Sequence, residues 1–169
     1  MPFIATRRVL VAVLACAAIA SATACTQVVA ESSACRNLEY KDGSVARAQY
    51  LPCAGEMIAA LDDLDRQTKA ALDGDRQARS DGLATLRRAM GLMKAAGGLQ
   101  LLERWDDRRL TSLNMNISNA LTKYQAFYMV RILDDSSQFA RQSRDAATAE
   151  YDGGHRNYEE ARQIFRRLN

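Results

Sequence analysis

The chain has 169 residues, of which 23 are Lys or Arg and 20 are Asp or Glu. Residues 1–24 contain two of the arginines and no acidic residue, so about 145 residues with a net charge near +1 remain, enough for one domain with a single core. Such a balanced charge offers no electrostatic basis for binding nucleic acid or for a polybasic membrane patch.

The first 24 residues have the order of a secretion signal. Arg7 and Arg8 form a charged start, an uncharged and mostly apolar run follows from Val9 to Ala20, and small residues occupy Ser21 to Ala24. The apolar run is too short to span a membrane comfortably as a permanent helix. We therefore predict that residues 1–24 are a cleaved signal peptide and exclude them from the fold.

The residues at the end of this signal, Ala22-Thr23-Ala24-Cys25, satisfy the small-x-small rule for ordinary cleavage. They also resemble the lipobox of bacterial lipoproteins, although such a box usually has Leu at the position of Ala22. The resemblance implies export and an N-terminal lipid on Cys25, which provides enough acyl chains for stable membrane anchoring. Because the residue directly after Cys25 is Thr26 and not an acidic residue, it also implies the periplasmic face of the outer membrane. A second lipobox-like site, at Cys16, would leave too short an apolar region.

The cysteine count predicts one disulfide. Cys16 leaves with the signal, and the three remaining cysteines would strand one thiol in an oxidising compartment. If Cys25 carries the lipid, Cys35 and Cys53 form a natural pair that closes a loop of about 19 residues and stabilises the fold by roughly 3 kcal/mol. A free Cys25 and a pairing of Cys25 with Cys35 are the alternatives.

The mature chain begins with a predicted tether. Residues 25–34 are largely small and polar without periodicity, and residues 35–169 are predicted to form a single mostly helical domain. Asp42-Gly43 between short alternating segments indicates a small hairpin, since these residues suit a tight hairpin turn. Pro52 is expected at the start of the first helix, where its missing N–H is not needed.

Helical periodicity follows Pro52. The first apolar stripe consists of Met57, Leu61, Leu64, Thr68 and Ala71. Asp73-Gly74-Asp75 then predicts a stop and a new start. The second stripe consists of Leu83, Leu86, Met90, Met93 and Gly97. Gly97-Gly98 predicts the end of the second helix.

The second half of the chain predicts two or three more helices. One segment runs from Leu99 to about Leu133, with a bend near Thr111-Ser112 as an option. The last stripe consists of Ala147, Tyr151, Gly154, Tyr158, Ala161, Phe165 and Leu168. Gly153-Gly154 is expected to form a turn, since paired glycines cost about 2 kcal/mol inside a helix; one long helix is the alternative. The predicted fold is all-α, a bundle of four or five helices with a small disulfide-clamped N-terminal hairpin.

No residue pattern predicts catalysis, a metal or a cofactor. His155 is the single histidine, so no histidine pair can bind a metal, and we interpret it as a solvated loop residue. The cysteines lack Cys-x-x-Cys spacing, which disfavours zinc, thioredoxin-type chemistry and haem attachment. The methionines mostly fall on apolar stripes, where Met fills gaps in a core. Adjacent acidic pairs such as Asp62-Asp63 diverge by about 100° on a helix and cannot converge on one bond.

One polar stretch stands out, at residues 111–119. It has three asparagines in a segment that otherwise reads as buried, and Asn116 and Asn119 lie three apart on one face. With Tyr124 they could form a binding strip; a local helix break or an internal amide network is the alternative.

These observations favour a non-enzymatic envelope lipoprotein that acts as an interaction or assembly factor for an envelope protein partner through a helical surface. The alternative is a carrier of a small ligand with a pocket between helices. A protein partner predicts an exposed apolar patch, whereas a carrier predicts an enclosed cavity with a few convergent polar groups.

Overall fold

A computed structural model describes residues 33–41, 44–98, 107–130 and 138–169. The predicted signal peptide, Cys25 and the tether up to residue 32 lie outside these ranges. Residues Ala34–Asn169 belong to one compact unit. Its described elements are a 3-10 turn (Ala34–Arg36), two short strands, β1 (Tyr40–Lys41) and β2 (Ser44–Val45), and four helices, α1 (Arg47–Leu72), α2 (Arg76–Ala95), α3 (Arg108–Met129) and α4 (Gln138–Leu168).

The helices form a bundle, which confirms the predicted all-α class. α1 packs mainly on α2, α3 packs mainly on α4, and α1 also contacts both α3 and α4. Hydrogen bonds between side chains show the directions: Tyr50 and Thr68 of α1 bond to Asn114 and Tyr128 of α3, so these two helices run parallel. The core lies between the four helices, and no helix within the described ranges is long and apolar enough to cross a membrane.

The disulfide between Cys35 and Cys53 is confirmed. The two Cα atoms are 4.5 Å apart, and both cysteines are fully buried. The backbone N–H of Ala34 donates to Glu56 Oε1 at 2.8 Å, which adds a second link between the 3-10 turn and α1. The N-terminal segment is therefore clamped to the first helix as expected.

The two strands of the predicted hairpin are also present and are paired with each other. Tyr40 pairs with Val45 and Lys41 with Ser44 in an antiparallel register. The two residues that connect them, Asp42 and Gly43, lie outside the described ranges.

The first helix begins earlier than predicted, because α1 starts at Arg47 and contains Pro52. Pro52 has no N–H to donate to the carbonyl of Ala48, which normally costs stability inside a helix. Ala48 is exposed, so solvent can hydrate that carbonyl. Tyr50 and Cys53 on either side are fully buried, and their packing holds the first turns in helical form despite the proline.

The turn between α1 and α2 agrees with the sequence. α1 ends at Leu72, and Gly74 adopts φ +105°, a conformation that is strained for residues with a side chain. Asp75 caps α2, with its side chain accepting from the N–H of Ala78 at 3.0 Å. α2 ends at Ala95, just before the predicted break at Gly97.

The five residues of the first predicted stripe are all buried. The second stripe is partly wrong: Leu83 is only half-buried and Met90 is 40% exposed. The residues of α2 that face the core are Ala78, Gly82, Leu86, Ala89 and Met93. Three of them are small, and hydrophobic periodicity underrates small residues that allow helices to pack closely.

α3 begins at Arg108, where the Asp107 carboxylate accepts from the N–H of Arg109 at 2.9 Å. The helix continues without a break through Thr111 and Ser112, so the bend considered there does not occur. Residues 99–106 and 131–133 of the predicted segment lie outside the described ranges.

The expected turn at Gly153-Gly154 is wrong, because α4 is one helix through both glycines. A Cβ at Gly154 would lie 2.7 Å from Cε1 of Tyr124, and a Cβ at Gly153 would lie 3.3 Å from Cδ of Lys123. The missing side chains let α4 approach α3 across the buried tyrosine ring. The cost of glycine in a helix, about 1 kcal/mol each, is thus offset by packing between two helices.

Candidate functional site

A network of polar side chains connects α1, α3 and α4. Asp65 Oδ1 accepts from Tyr124 Oη at 2.6 Å, and the same oxygen lies 3.0 Å from Nδ1 of His155. The Asp65 side chain is 13% exposed, whereas that of His155 is 44% exposed. Tyr158 Oη donates to Oδ1 of Asp62, which lies one turn before Asp65 on α1.

His155 is therefore not the loop residue that the sequence suggested. It lies inside α4, and the continuation of that helix through the glycines brings it against α1. Its imidazole stacks on Tyr151, with ring centroids 5.7 Å apart and planes 21° apart. Tyr151 lies four residues before His155 in α4. Residues four apart are neighbours on the surface of a helix, which places the two rings together.

The tyrosines of this network resist ionisation. Burial raises the pKa of Tyr151 to about 12, with the charge of Asp65 as the next cause. Burial is also the largest cause of the raised pKa of Tyr124, followed by its hydrogen bond to Asp65. For Tyr158 the causes are burial and then the hydrogen bond to Asp62. The hydroxyls of Tyr124 and Tyr158 thus remain hydrogen-bond donors to their carboxylates over the physiological pH range.

The chemistry that His155 can perform depends on the contact between its Nδ1 and the Asp65 carboxylate. A carboxylate on Nδ1 orients an imidazole and favours the tautomer in which Nε2 accepts a proton or binds a metal. Within the described residues Nε2 has no hydrogen bond, and no three His, Cys, Asp or Glu side chains are placed to hold a metal ion. The network links three helices, and no Ser, Thr or Cys side chain in the described ranges is hydrogen-bonded to this histidine.

A groove of about 310 Å³ lies between α2 and α3. Its apolar wall is formed by Met90, Met93 and Leu121, and its polar and charged lining residues are Lys94, Ser118, Thr122 and Gln125. The groove is open to solvent along one side, and Met90 is 40% exposed beside it.

In comparisons with known proteins, no family model, no curated protein and no solved structure matches this chain. The candidate site therefore rests on the geometry of this bundle alone.

The three residues of the predicted strip differ in burial. Tyr124 is fully buried in the polar network, whereas Asn116 bonds back to its own helix, from Nδ2 to the carbonyl of Ser112 at 3.0 Å. Asn119 is exposed. Binding by these three residues stays a prediction, but they do not form one continuous surface.

The asparagine that the core contains is Asn114, which the sequence did not single out from its neighbours. It is fully buried, and its Oδ1 accepts from Tyr50 Oη at 3.0 Å. Among the residues that the structure describes, its Nδ2 has no hydrogen-bond partner, which costs about 1–3 kcal/mol for a buried donor. Its spacing of four from Leu110, three from Ile117 and seven from Leu121 was the available signal.

The network was not predictable from spacing, because its members are far apart in the chain. Tyr124 and Asp65 are separated by 59 residues, and His155 and Asp65 by 90. The parallel packing of α3 on α1 brings Tyr124 to Asp65, and the antiparallel packing of α4 on α1 brings His155 to the same residue.

Proposed function

We propose that this chain is an exported, lipid-anchored envelope protein that binds a segment of another envelope protein in the groove between α2 and α3. It acts as an interaction or assembly factor and catalyses no reaction. The observation that carries the proposal is the open groove beside Met90.

The lining of the groove suits a helical segment. Methionine is flexible and polarisable, so surfaces rich in it adapt to different apolar side chains. Met90 stands half-exposed at the rim, and Met93 and Leu121 are buried at the floor. The volume of about 310 Å³ is at the lower limit for small-molecule pockets. A few anchor side chains from one face of an amphipathic helix would fill it.

The anchoring part of the proposal rests on the signal-like residues 1–24 and on Cys25. The disulfide between Cys35 and Cys53 supports an oxidising compartment, since such bonds persist outside the cytosol. The mass of the mature N-terminus tests this part separately. Acylated Cys25 would support the anchor, and an unmodified cysteine would refute it.

The groove is tested by in-cell cross-linking and purification of the tagged protein from solubilised membranes. We expect Met90→Lys to capture at least about tenfold less of the dominant partner, because it places a charge at an apolar anchor site. Met115→Lys is the matched control, since Met115 is 46% exposed on α3 and does not line the groove. Equal capture by both variants would refute binding in the groove.

A small-ligand carrier is the second candidate, favoured by the hydroxyl and amide groups of Ser118, Thr122 and Gln125 in the same groove. These groups could orient a small polar headgroup above the apolar floor. Native mass spectrometry of the purified protein separates the two functions. A retained small molecule that Met90→Lys loses would favour the carrier, and a ligand-free protein with a Met90-dependent protein partner would favour assembly.

A further inference from the structure

Five exposed arginines gather at one end of the bundle. They are Arg47, Arg108, Arg109, Arg166 and Arg167, and we refer to them as the basic end. They come from the first residues of α1 and α3 and from the last turn of α4.

Contacts between helix ends show that these residues share one region. Arg47 Nη2 donates to the backbone carbonyl of Leu168, which joins the start of α1 to the end of α4. The pKa of the Asp107 carboxyl is lowered, mostly by its hydrogen bonds with Arg109 and in smaller part by the charge of Arg47. The start of α3 therefore lies close to Arg47 as well.

The charge at this end is one-sided. Among residues 47–50, 107–111 and 165–169 the single acidic side chain is Asp107, against five arginines, so the net side-chain charge is +4. Asp107 is already bound to Arg109 at 3.1 Å. The whole mature chain, by contrast, is nearly neutral.

Helix stability does not account for the arginines of α1 and α3. The N-terminus of a helix carries a partial positive charge, which favours acidic residues there and disfavours cations. Neither α1 nor α3 has an acidic residue in its first turn. Arg108 has no ion pair in the described residues, so it gains nothing locally to offset this cost.

The predicted anchor connects to the same part of the domain. Residues 34–36 are fixed against Cys53 and Glu56, in the second and third turns of α1, by the disulfide and the Ala34 hydrogen bond. The nine residues from Cys25 to Ser33 span at most about 30 Å when fully extended. A lipid on Cys25 would therefore keep the basic end within reach of the membrane surface.

We propose that the basic end docks on the anionic phospholipid headgroups of the membrane that holds the lipid anchor. This inference rests on the proposed function only through that anchor. Each arginine near an anionic surface adds to the attraction, and the effect is screened by salt. The docked bundle would hold the α2–α3 groove roughly 15–25 Å above the headgroups, from the rise along α3 between Arg108 and residues 118–125.

The test uses the chain from Thr26, without signal and lipid, because Ala34–Asn169 form a compact unit with their own disulfide and core. Co-sedimentation is measured with vesicles of phosphatidylethanolamine and phosphatidylglycerol, and with vesicles of phosphatidylethanolamine and phosphatidylcholine. The double variant Arg166→Gln/Arg167→Gln removes two charges from the basic end. Arg87→Gln/Arg88→Gln is the matched control, since this pair is also adjacent, helical and exposed, but lies in the middle of α2.

We expect salt-sensitive binding to the phosphatidylglycerol vesicles alone, about 25-fold weaker for Arg166→Gln/Arg167→Gln and within about twofold of wild type for the control pair. Equal losses in both variants, or no binding by the wild type, would overturn the proposal. Salt-sensitive binding to duplex DNA as tight as to the vesicles would also overturn it. The chain from Thr26 can bind vesicles even if the mass of the mature N-terminus shows an unmodified Cys25. That pair of results would support the basic end and refute the anchor, so the two failures are distinguishable.

Discussion

Replacing Gly154 with alanine would place a methyl group against the ring of Tyr124. The new Cβ would lie 2.7 Å from Cε1, 2.9 Å from Cδ1 and 3.0 Å from Cζ, whereas carbon atoms normally pack at about 3.5–4.0 Å. The ring cannot move away easily, because Tyr124 is fully buried and its hydroxyl is bonded to Asp65.

The size of the effect follows from two opposing terms. Overpacking in a core costs about 1–3 kcal/mol, and exchanging glycine for alanine inside a helix gains about 1 kcal/mol. Gly91 provides the matched control, since it is exposed in the interior of α2 and a Cβ there would meet nothing within 4 Å. We expect Gly91→Ala to raise the free energy of unfolding by about 0.5–1 kcal/mol. Because the propensity gain is common to both, Gly154→Ala should be about 1–3 kcal/mol less stable than Gly91→Ala.

Urea unfolding followed by circular dichroism measures both variants. A double-mutant cycle with Tyr124→Leu then identifies the cause, because removal of the ring should relieve the penalty at position 154 by roughly 1–2 kcal/mol. An equal gain in stability for the two alanine variants would refute the close approach of α4 to α3. A penalty that does not couple to Tyr124 would point instead to a backbone turn at the glycines.

Two further predictions concern the disulfide and the tyrosines. The double variant Cys35→Ser/Cys53→Ser should lose about 3 kcal/mol of unfolding free energy, because the bond restricts the unfolded chain; an unchanged urea midpoint would contradict this. The folded pKa of Tyr151 is about 12, above the value near 10 of an unfolded tyrosine, so its contribution to stability is full below pH ~10 and is lost as the pH rises towards 12. Unfolding measured over this range should show stability falling, and the fall should be smaller in Tyr151→Phe; an identical pH profile for that variant would reject the shift.

Several elements were predictable because their signals are local. The stripe from Met57 to Ala71 repeats at helical spacing, and each of its residues is buried as expected. The turn at Gly74 was marked by its flanking aspartates, one of which caps the next helix. The turn predicted at Gly154 was wrong because the deciding signal is not local. Whether a glycine ends a helix or lies under a neighbouring ring depends on a residue from another helix, here Tyr124.

The sequence by itself determined the helical class and most of the buried faces, since periodicity does not depend on how helices are arranged. The cysteine count favoured a bond between Cys35 and Cys53 but left a pairing of Cys25 with Cys35 open, and the structure decided for the former. The tertiary structure decided which polar residues meet. It placed His155 beside Asp65, 90 residues away in the chain. It also gathered Arg47, Arg108 and Arg167 at one end of the bundle, although the mature chain is nearly neutral. Composition reports only the total charge, whereas the parallel and antiparallel packing of the helices sets where that charge is concentrated.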